Sequence, residues 1–245
     1  MTIGKSMTIL CDGVVGGMVV SGSNGVLINA GANDVVVLKG LDIEGLGMTT
    51  GGQGLNGIKV LAAAAVHVED CIIRNFRAAT PNGFAIQFAN STALTFTVKN
   101  TSMVNNGTGA TGGAMQVRPT AGATTGTISN STATRNIFGI AADGAGGSTG
   151  INLSIDSSQI TGSVLGGVVA VTGAIGTGIM VTRSTVSNNG TAFQSSGAGA
   201  NIRVGYSQAT GNGNATSGTI SSYTPATNQV NGNGNDGVFV GVALR

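Results

Sequence analysis

The chain has 245 residues, of which 43 are glycine and 3 proline, with no tryptophan; 8% are charged and 41% are apolar. So little charge beside so much apolar content excludes a solvated disordered tail, and glycine without a three-residue period or proline excludes collagen. A net charge of +2 with no cluster of Lys or Arg gives nucleic acid no electrostatic footprint, and none is expected as a partner.

Compartment signals come next. The longest apolar run, 58–68, is interrupted by Lys59 and His67 and falls short of the roughly 18 residues a membrane helix needs, so no membrane span is expected. Residues 1–10 lack a basic segment followed by an apolar one, so no signal peptide is expected in this chain. They read as a strand that begins abruptly. Cys11 and Cys71 match no metal-ligand spacing and His67 is the lone histidine, so neither a metal nor a cofactor is expected. Cys71 reads as a small buried apolar residue.

Self-similarity organises the remainder. The segments 36–43, 66–73, 96–103, 126–133, 153–160, 179–186 and 202–209 align without gaps. One column then holds Leu38, Val68, Val98, Ile128, Ile155, Val181 and Val204; another holds Ile43, Ile73, Met103, Ala133, Ile160, Val186 and Ala209. The period starts near ~30 residues and shortens to ~23, within the range of solenoids. Apolar and polar residues alternate inside each unit, and a two-residue offset between apolar pairs reads as strand, sharp bend, strand. A second strand family lies between the units, at 57–60, 83–88, 113–117, 139–142, 167–171 and 236–240. Turn chemistry rich in glycine and asparagine precedes each. The pattern predicts one all-β domain over 1–245: a single-stranded right-handed parallel β-helix, a β-solenoid with three short strands per coil and roughly eight to nine coils.

Several outward columns carry chemistry. Lys39, Glu69 and Lys99 alternate in sign and continue as Ser129 and Asp156, and Glu44 is expected below Arg74. That charged ridge reads either as a site for an acidic sugar or cation, or as cross-strand ion pairs. The bend column Asp70, Asn100, Asn130, Ser157, the adjoining Cys71, Thr101, Ser131, Ser158, Ser184, Ser207, and the set Asn75, Asn105, Asn188, Asn212 read as structural polar ladders. Thr95/Thr97 and Thr125/Thr127 stack as two Thr-x-Thr pairs, too small a face for ice. His67 is expected to face solvent without a catalytic partner. The candidate catalytic residues are Asp42, Glu44, Glu69, Asp70, Arg74 and Arg77, on adjacent coils; Asp42 and Glu69 could flank a sugar at the spacing an inverting hydrolase needs. No acid, base and nucleophile visibly converge, and aromatic platforms are scarce, so no catalytic residue is assigned and the reading leans away from an enzyme.

Residues 1–9, 35–47, 66–76 and 231–245 resemble bacterial exported right-handed parallel β-helix proteins of the pectate-lyase-like superfold. The resemblance runs over essentially the whole chain. It implies a secreted or cell-surface location for the full-length protein and, because such proteins begin earlier with an export signal and a capping coil, a chain trimmed at its N-terminus. An uncapped end would favour head-to-tail self-association. The catalytic signatures of the superfold's hydrolases have no counterpart here, so only the fold transfers. The leading expectation is a non-catalytic extracytoplasmic module, structural or surface-interacting, with polysaccharide or a cell surface as partner. The alternatives are a lyase or hydrolase of acidic polysaccharide, and a self-assembling filament subunit.

Overall fold

A computed structural model describes residues 1–14, 16–48, 52–173, 175–224 and 227–243. The chain winds through about eight turns of a parallel β-helix with three sheets of nine, ten and nine strands. The first sheet runs from Thr2–Ile3 to Asn214–Ser217, the second from Met7–Leu10 to Phe239–Ala243, and the third from Gly16–Val19 to Gln229–Val230. Every strand pair is parallel, as successive coils of one winding direction require, and parallel crossovers of this kind are right-handed. The one helical element among the described residues is a 3₁₀ turn at Gly144–Gly146, capped by the Asp143 carboxylate.

The columns read from the sequence are the ones observed. Leu38, Val68, Val98, Ile128, Ile155, Val181 and Val204 pair in register on the second sheet. Ile43 through Ala209 do the same on the third. All these residues are buried. Because the repeat is strict, bulk must be traded between coils instead of within one. Phe96 follows Val66 in an inward column, and the next residue up is Gly126, where a Cβ would sit 2.1 Å from the Phe96 ring. The ring therefore occupies two coils' worth of space and stacks on Phe88, with centroids 4.0 Å apart.

Two sharp bends turn the chain between sheets, and both use left-handed backbone. Gly40, Asp70, Asn100, Asn130, Ser157, Arg183 and Tyr206 all have positive φ where the second sheet passes to the third. Each non-glycine residue there costs roughly 1 kcal/mol. The residue after each bend offsets that strain. Thr101, Ser131, Ser158, Ser184 and Ser207 donate their hydroxyls to the carbonyl two residues back. The oxygens of Ser131, Ser158, Ser184 and Ser207 accept the backbone N–H of the coil below. The intervals along that ladder are 30, 27, 26 and 23 residues, and 21 to Asn228 above it. Loops shorten toward the C-terminus while the bend stays constant.

Beyond the third sheet, the expected ladder of Asn75, Asn105, Asn188 and Asn212 divides into two columns. Asn75, Asn105 and Asn188 occupy the left-handed position together with Arg135. Asn212 belongs one residue later, in a buried column with Asn106, Asn136 and Asn189. There the Asn136 side chain accepts both the backbone and side-chain N–H of Asn106 at 2.9 and 3.0 Å and donates to Met103 O. Asn212 does the same for Asn189. Where serine replaces asparagine, at Ser163, the hydroxyl is buried without a partner: its side chain is too short to span the gap.

A second difference lies at the C-terminus. Residues 236–240 were expected to continue the second strand family, which forms the first sheet. Instead Phe239–Ala243 pairs with Ile220–Thr224 on the second sheet, and only Asn235 bridges to Asn214 on the first. The left-handed Gly237, whose N–H donates to Asn235 Oδ1, turns the chain before a first-sheet strand can form.

Asn136→Ala removes the acceptor of the Asn106 backbone N–H and the donor to the Met103 carbonyl, leaves the Asn106 side-chain amide only its 3.4 Å bond to Ile73 O, and should destabilise by about 2–4 kcal/mol. Thr127→Ala, on an exposed outer face, should change stability by less than about 0.5 kcal/mol. Urea denaturation of both variants measures the difference, and equal losses would contradict the ladder's role.

Candidate functional site

The six candidate residues fall into three places. Asp42, Glu44 and Arg74 stand on the outer face of the third sheet, where Glu44 pairs in register with Arg74. The Arg74 guanidinium spans both acids, donating Nη1 to Asp42 and Nε to Glu44 Oε2 at 2.8 Å. Asn75 Nδ2 shares Glu44 Oε2 with Arg74, and the Leu46 N–H donates to the other oxygen, Oε1. Glu69 and Asp70 lie at the corner between the second and third sheets, with Lys39 Nζ at 3.8 and 3.3 Å. Arg77 lies in the loop leading to the first sheet. It donates Nη1 to Asn105 Oδ1, and its Nε is buried without a partner. The expected column Lys39, Glu69, Lys99 is in register; Lys39 pairs with Glu69 and Asp70, while Lys99 makes no ion pair among the described residues. Asp42 and Asp70 face one shallow depression of about 350 Å³ at the corner, together with Asp12, Lys39 and Ile72.

Electrostatics follow the pairing. The Asn100 amide and the Lys39 ammonium hold the Asp70 carboxyl below its ordinary value of 3.8. In return Asp70 raises Lys39. Asp42, and then Glu44, raises Arg74 against its partial desolvation. Away from this corner, the Ser6 hydroxyl and the Gly31 and Ser6 N–H groups lower Asp34. Burial pushes Asp156 up, but Arg183, Thr182 and Ser157 outweigh it and the carboxyl lies below its ordinary value. Burial also pushes the Cys71 thiol up, as expected of a core residue. His67 stands on the outer face of the second sheet, with Nδ1 2.8 Å from Thr97 Oγ1. Among the described residues no three His, Cys, Asp or Glu side chains gather to hold a metal ion. No helix is long and apolar enough to cross a membrane.

A more developed cleft lies on the outer face of the first sheet and was missed in the sequence. Its floor is a stacked row: Lys59 on Ile58–Ala62, Gln87 on Phe84–Phe88 and Gln116 on Gly113–Val117, paired in register. Loops folding over that face, one carrying Thr80 and Pro81, another Thr111 and a third Gly146, make a cleft of about 400 Å³. The loops cover Phe84–Phe88 so fully that all five residues are buried, on both faces of the strand. Gln87, 6% exposed, donates Nε2 to Pro81 O and to Gln116 Oε1, while its Oε1 has no partner. Lys59 makes no ion pair among the described residues, and Arg118 at the rim pairs with Asp143 at 3.1 Å. The signal was present in the sequence. The same polar position recurs in Ile58-Lys-Val60, Ile86-Gln-Phe88 and Met115-Gln-Val117, so the register predicts a stacked polar row.

Comparison with protein-family models, curated proteins and solved structures returned no match.

The lowered aspartates fix the sign of the acid response. Asp34, Asp70 and Asp156 bind protons less tightly folded than unfolded, so the unfolded chain takes up more protons in acid. Their stabilisation is complete above the ordinary value of 3.8 and is lost as pH falls through the lower folded values. The melting temperature should therefore hold from neutrality to about pH 5 and fall below about pH 4. In Asp70→Asn the fall should be shallower; an identical acid limb in a thermal scan would contradict the assignment.

Proposed function

We propose that this protein is a non-catalytic, extracytoplasmic β-solenoid that serves as a rigid surface-interaction module. It binds polysaccharide in the cleft on the outer face of its first sheet, and it is a member of the bacterial exported parallel β-helix proteins of the pectate-lyase-like superfold. The observation that carries the binding reading is the unpaired Lys59 in a loop-walled cleft, stacked in register with the amides of Gln87 and Gln116. Gln87 Nε2 holds the Gln116 amide by its Oε1, and the half-buried Gln116 Nε2, which donates to no group among the described residues, would donate to a ligand oxygen. Lys59 and the half-neutralised Arg118 favour a glycan carrying carboxylates. Thr80, Thr111 and Thr120 at the lining offer hydroxyls that both donate and accept, which suits a polyhydroxylated chain.

The non-catalytic reading is supported by the state of the acids. Proton transfer needs a group held near the reacting atoms with freedom to gain or lose a proton. Glu44 is filled by three donors and Asp70 is held ionised by its neighbours.

Affinity electrophoresis through gels containing polygalacturonate, with dextran as the neutral control, tests this. The protein should be retarded by the polyuronate, with retardation weakening as salt rises. Lys59→Gln with Arg118→Gln should weaken binding by about tenfold. Absence of retardation, or unchanged binding by the double variant, would overturn the cleft assignment. Cleavage of the polymer that is lost in Asp42→Asn or Glu69→Gln would replace this reading with an enzymatic one.

A further inference from the structure

We infer that the outer face of the second sheet carries a separate binding site for a neutral pyranose unit, in a hollow centred on Gly178. The proposal goes beyond the cleft on the first sheet and shares with it only the reading of the protein as a carbohydrate-binding module.

The hollow follows from the register. Asn152, Gly178 and Asn201 stack in one outward column on successive coils, and Ser154, Met180 and Arg203 stack in the next. The missing side chain at Gly178 leaves a gap between two asparagines whose backbones are roughly 10 Å apart, two coil spacings. The gap lies within a larger open depression that reaches from Thr125 to Tyr223 and has a volume of about 470 Å³, within the range of small-ligand sites.

Nothing in the fold requires glycine at this position. Most glycines in the chain are explained by positive φ or by a neighbour that a Cβ would strike; Gly4, Gly17 and Gly176 share with Gly178 the lack of either, but none of those three lines this hollow. Gly178 has neither: a Cβ there would touch only Asn152 Oδ1, at 3.3 Å, with the next atom at 3.9 Å. A glycine inside a strand weakens it, and here the open space is what the glycine provides.

The lining is chemically specific. The side chains of Asn152 and Asn201 make no hydrogen bond within the described residues, so each presents a free donor and acceptor into the hollow's rim. Arg203 is exposed and makes no ion pair there. Tyr223 forms the wall. Its ring packs against Gly205, where a Cβ would fall 2.8 Å from Cδ2, and its hydroxyl reaches the Met180 sulfur at 3.8 Å. The ring is thus laid along the sheet across two coils. An aromatic face beside two amides and a guanidinium matches a sugar ring, whose C–H face packs on the aromatic while its hydroxyls exchange hydrogen bonds with the amides. The lining contains no carboxylate, which argues against a cation. Its single positive charge, without a nest of backbone N–H groups, argues against a bare phosphate.

The test is titration of the ¹⁵N-labelled full chain with maltose, cellobiose, chitobiose and lactose, followed by backbone and side-chain amide spectra. At least one disaccharide should shift the side-chain amides of Asn152 and Asn201 and the backbone amide of Gly178. Gly178→Val, which fills the gap with a residue suited to a strand, should weaken that binding by about tenfold or more. Asn201→Ala gives a second variant should the first fail to fold, and its effect should be of the same sign. Lys59→Gln with Arg118→Gln should leave these shifts unchanged. The proposal is overturned if none of the four sugars shifts these signals at millimolar concentration, or if the shifts persist undiminished in the folded variant. Failure of polygalacturonate to shift Gln87 and Gln116 would count against the first-sheet cleft alone.

Discussion

The structure depends on one repeated interaction: a side-chain oxygen at a bend accepts the backbone N–H of the coil beneath it. Parallel strands supply hydrogen bonds between coils along their length, but a bend interrupts the ladder and buries N–H groups that need acceptors. Ser131, Ser158, Ser184 and Ser207 at one bend, and Asn106, Asn136, Asn189 and Asn212 at the other, supply them from the coil above. Each such bond is satisfied only if neighbouring coils are in register. The bends therefore set the alignment that places Val over Val and Ile over Ile in the core.

Fixed register has consequences on the outside. Outward residues also stack, so a charge in one coil meets its neighbour a single coil spacing away, and a like-charge column would be self-repelling. Lys39 against Glu69, and Glu44 against Arg74, answer that constraint, which accounts for few charges concentrated in a few columns. The remaining outer surface is free to vary where loops lengthen or a side chain is omitted. The two candidate binding surfaces arise in those two ways. Long loops wall the cleft over Gln87, and a missing side chain opens the hollow at Gly178.

Most of the fold was legible in the sequence because its period is strict and its strands alternate. The inward columns could be read directly, as could the polar row Cys71 to Ser207 and the Glu44–Arg74 pair. The asparagine columns were harder. A one-residue shift separates the left-handed Asn75, Asn105 and Asn188 from the buried Asn106, Asn136, Asn189 and Asn212, and consecutive asparagines look alike until φ and burial distinguish them. The final strand was misplaced because Gly237 resembles the glycine that opens each first-sheet strand, yet turns the chain toward the second. Of the sites, charge drew attention to Asp42, Glu69 and Arg74, whose charges are already satisfied, Asp42 and Arg74 by each other and Glu69 by Lys39. The cleft row of Lys59, Gln87 and Gln116 mixes one cation with two amides and has no charge pattern. The row itself follows from the register, but the cleft exists only because loops from other coils fold over it, which no local pattern encodes.

The claim that bend side chains hold the coils in register is tested most directly by native-state hydrogen exchange at the bends. The backbone amides of Ser131, Ser158, Ser184, Asn106 and Asn189 lie outside the strands, yet each donates to a side chain of the next coil. They should exchange as slowly as the strand amides of Val98, Ile128 and Ile155, opening only with the unit that contains them. Exchange of these five amides at rates typical of exposed loops, while the strands stay protected, would contradict it.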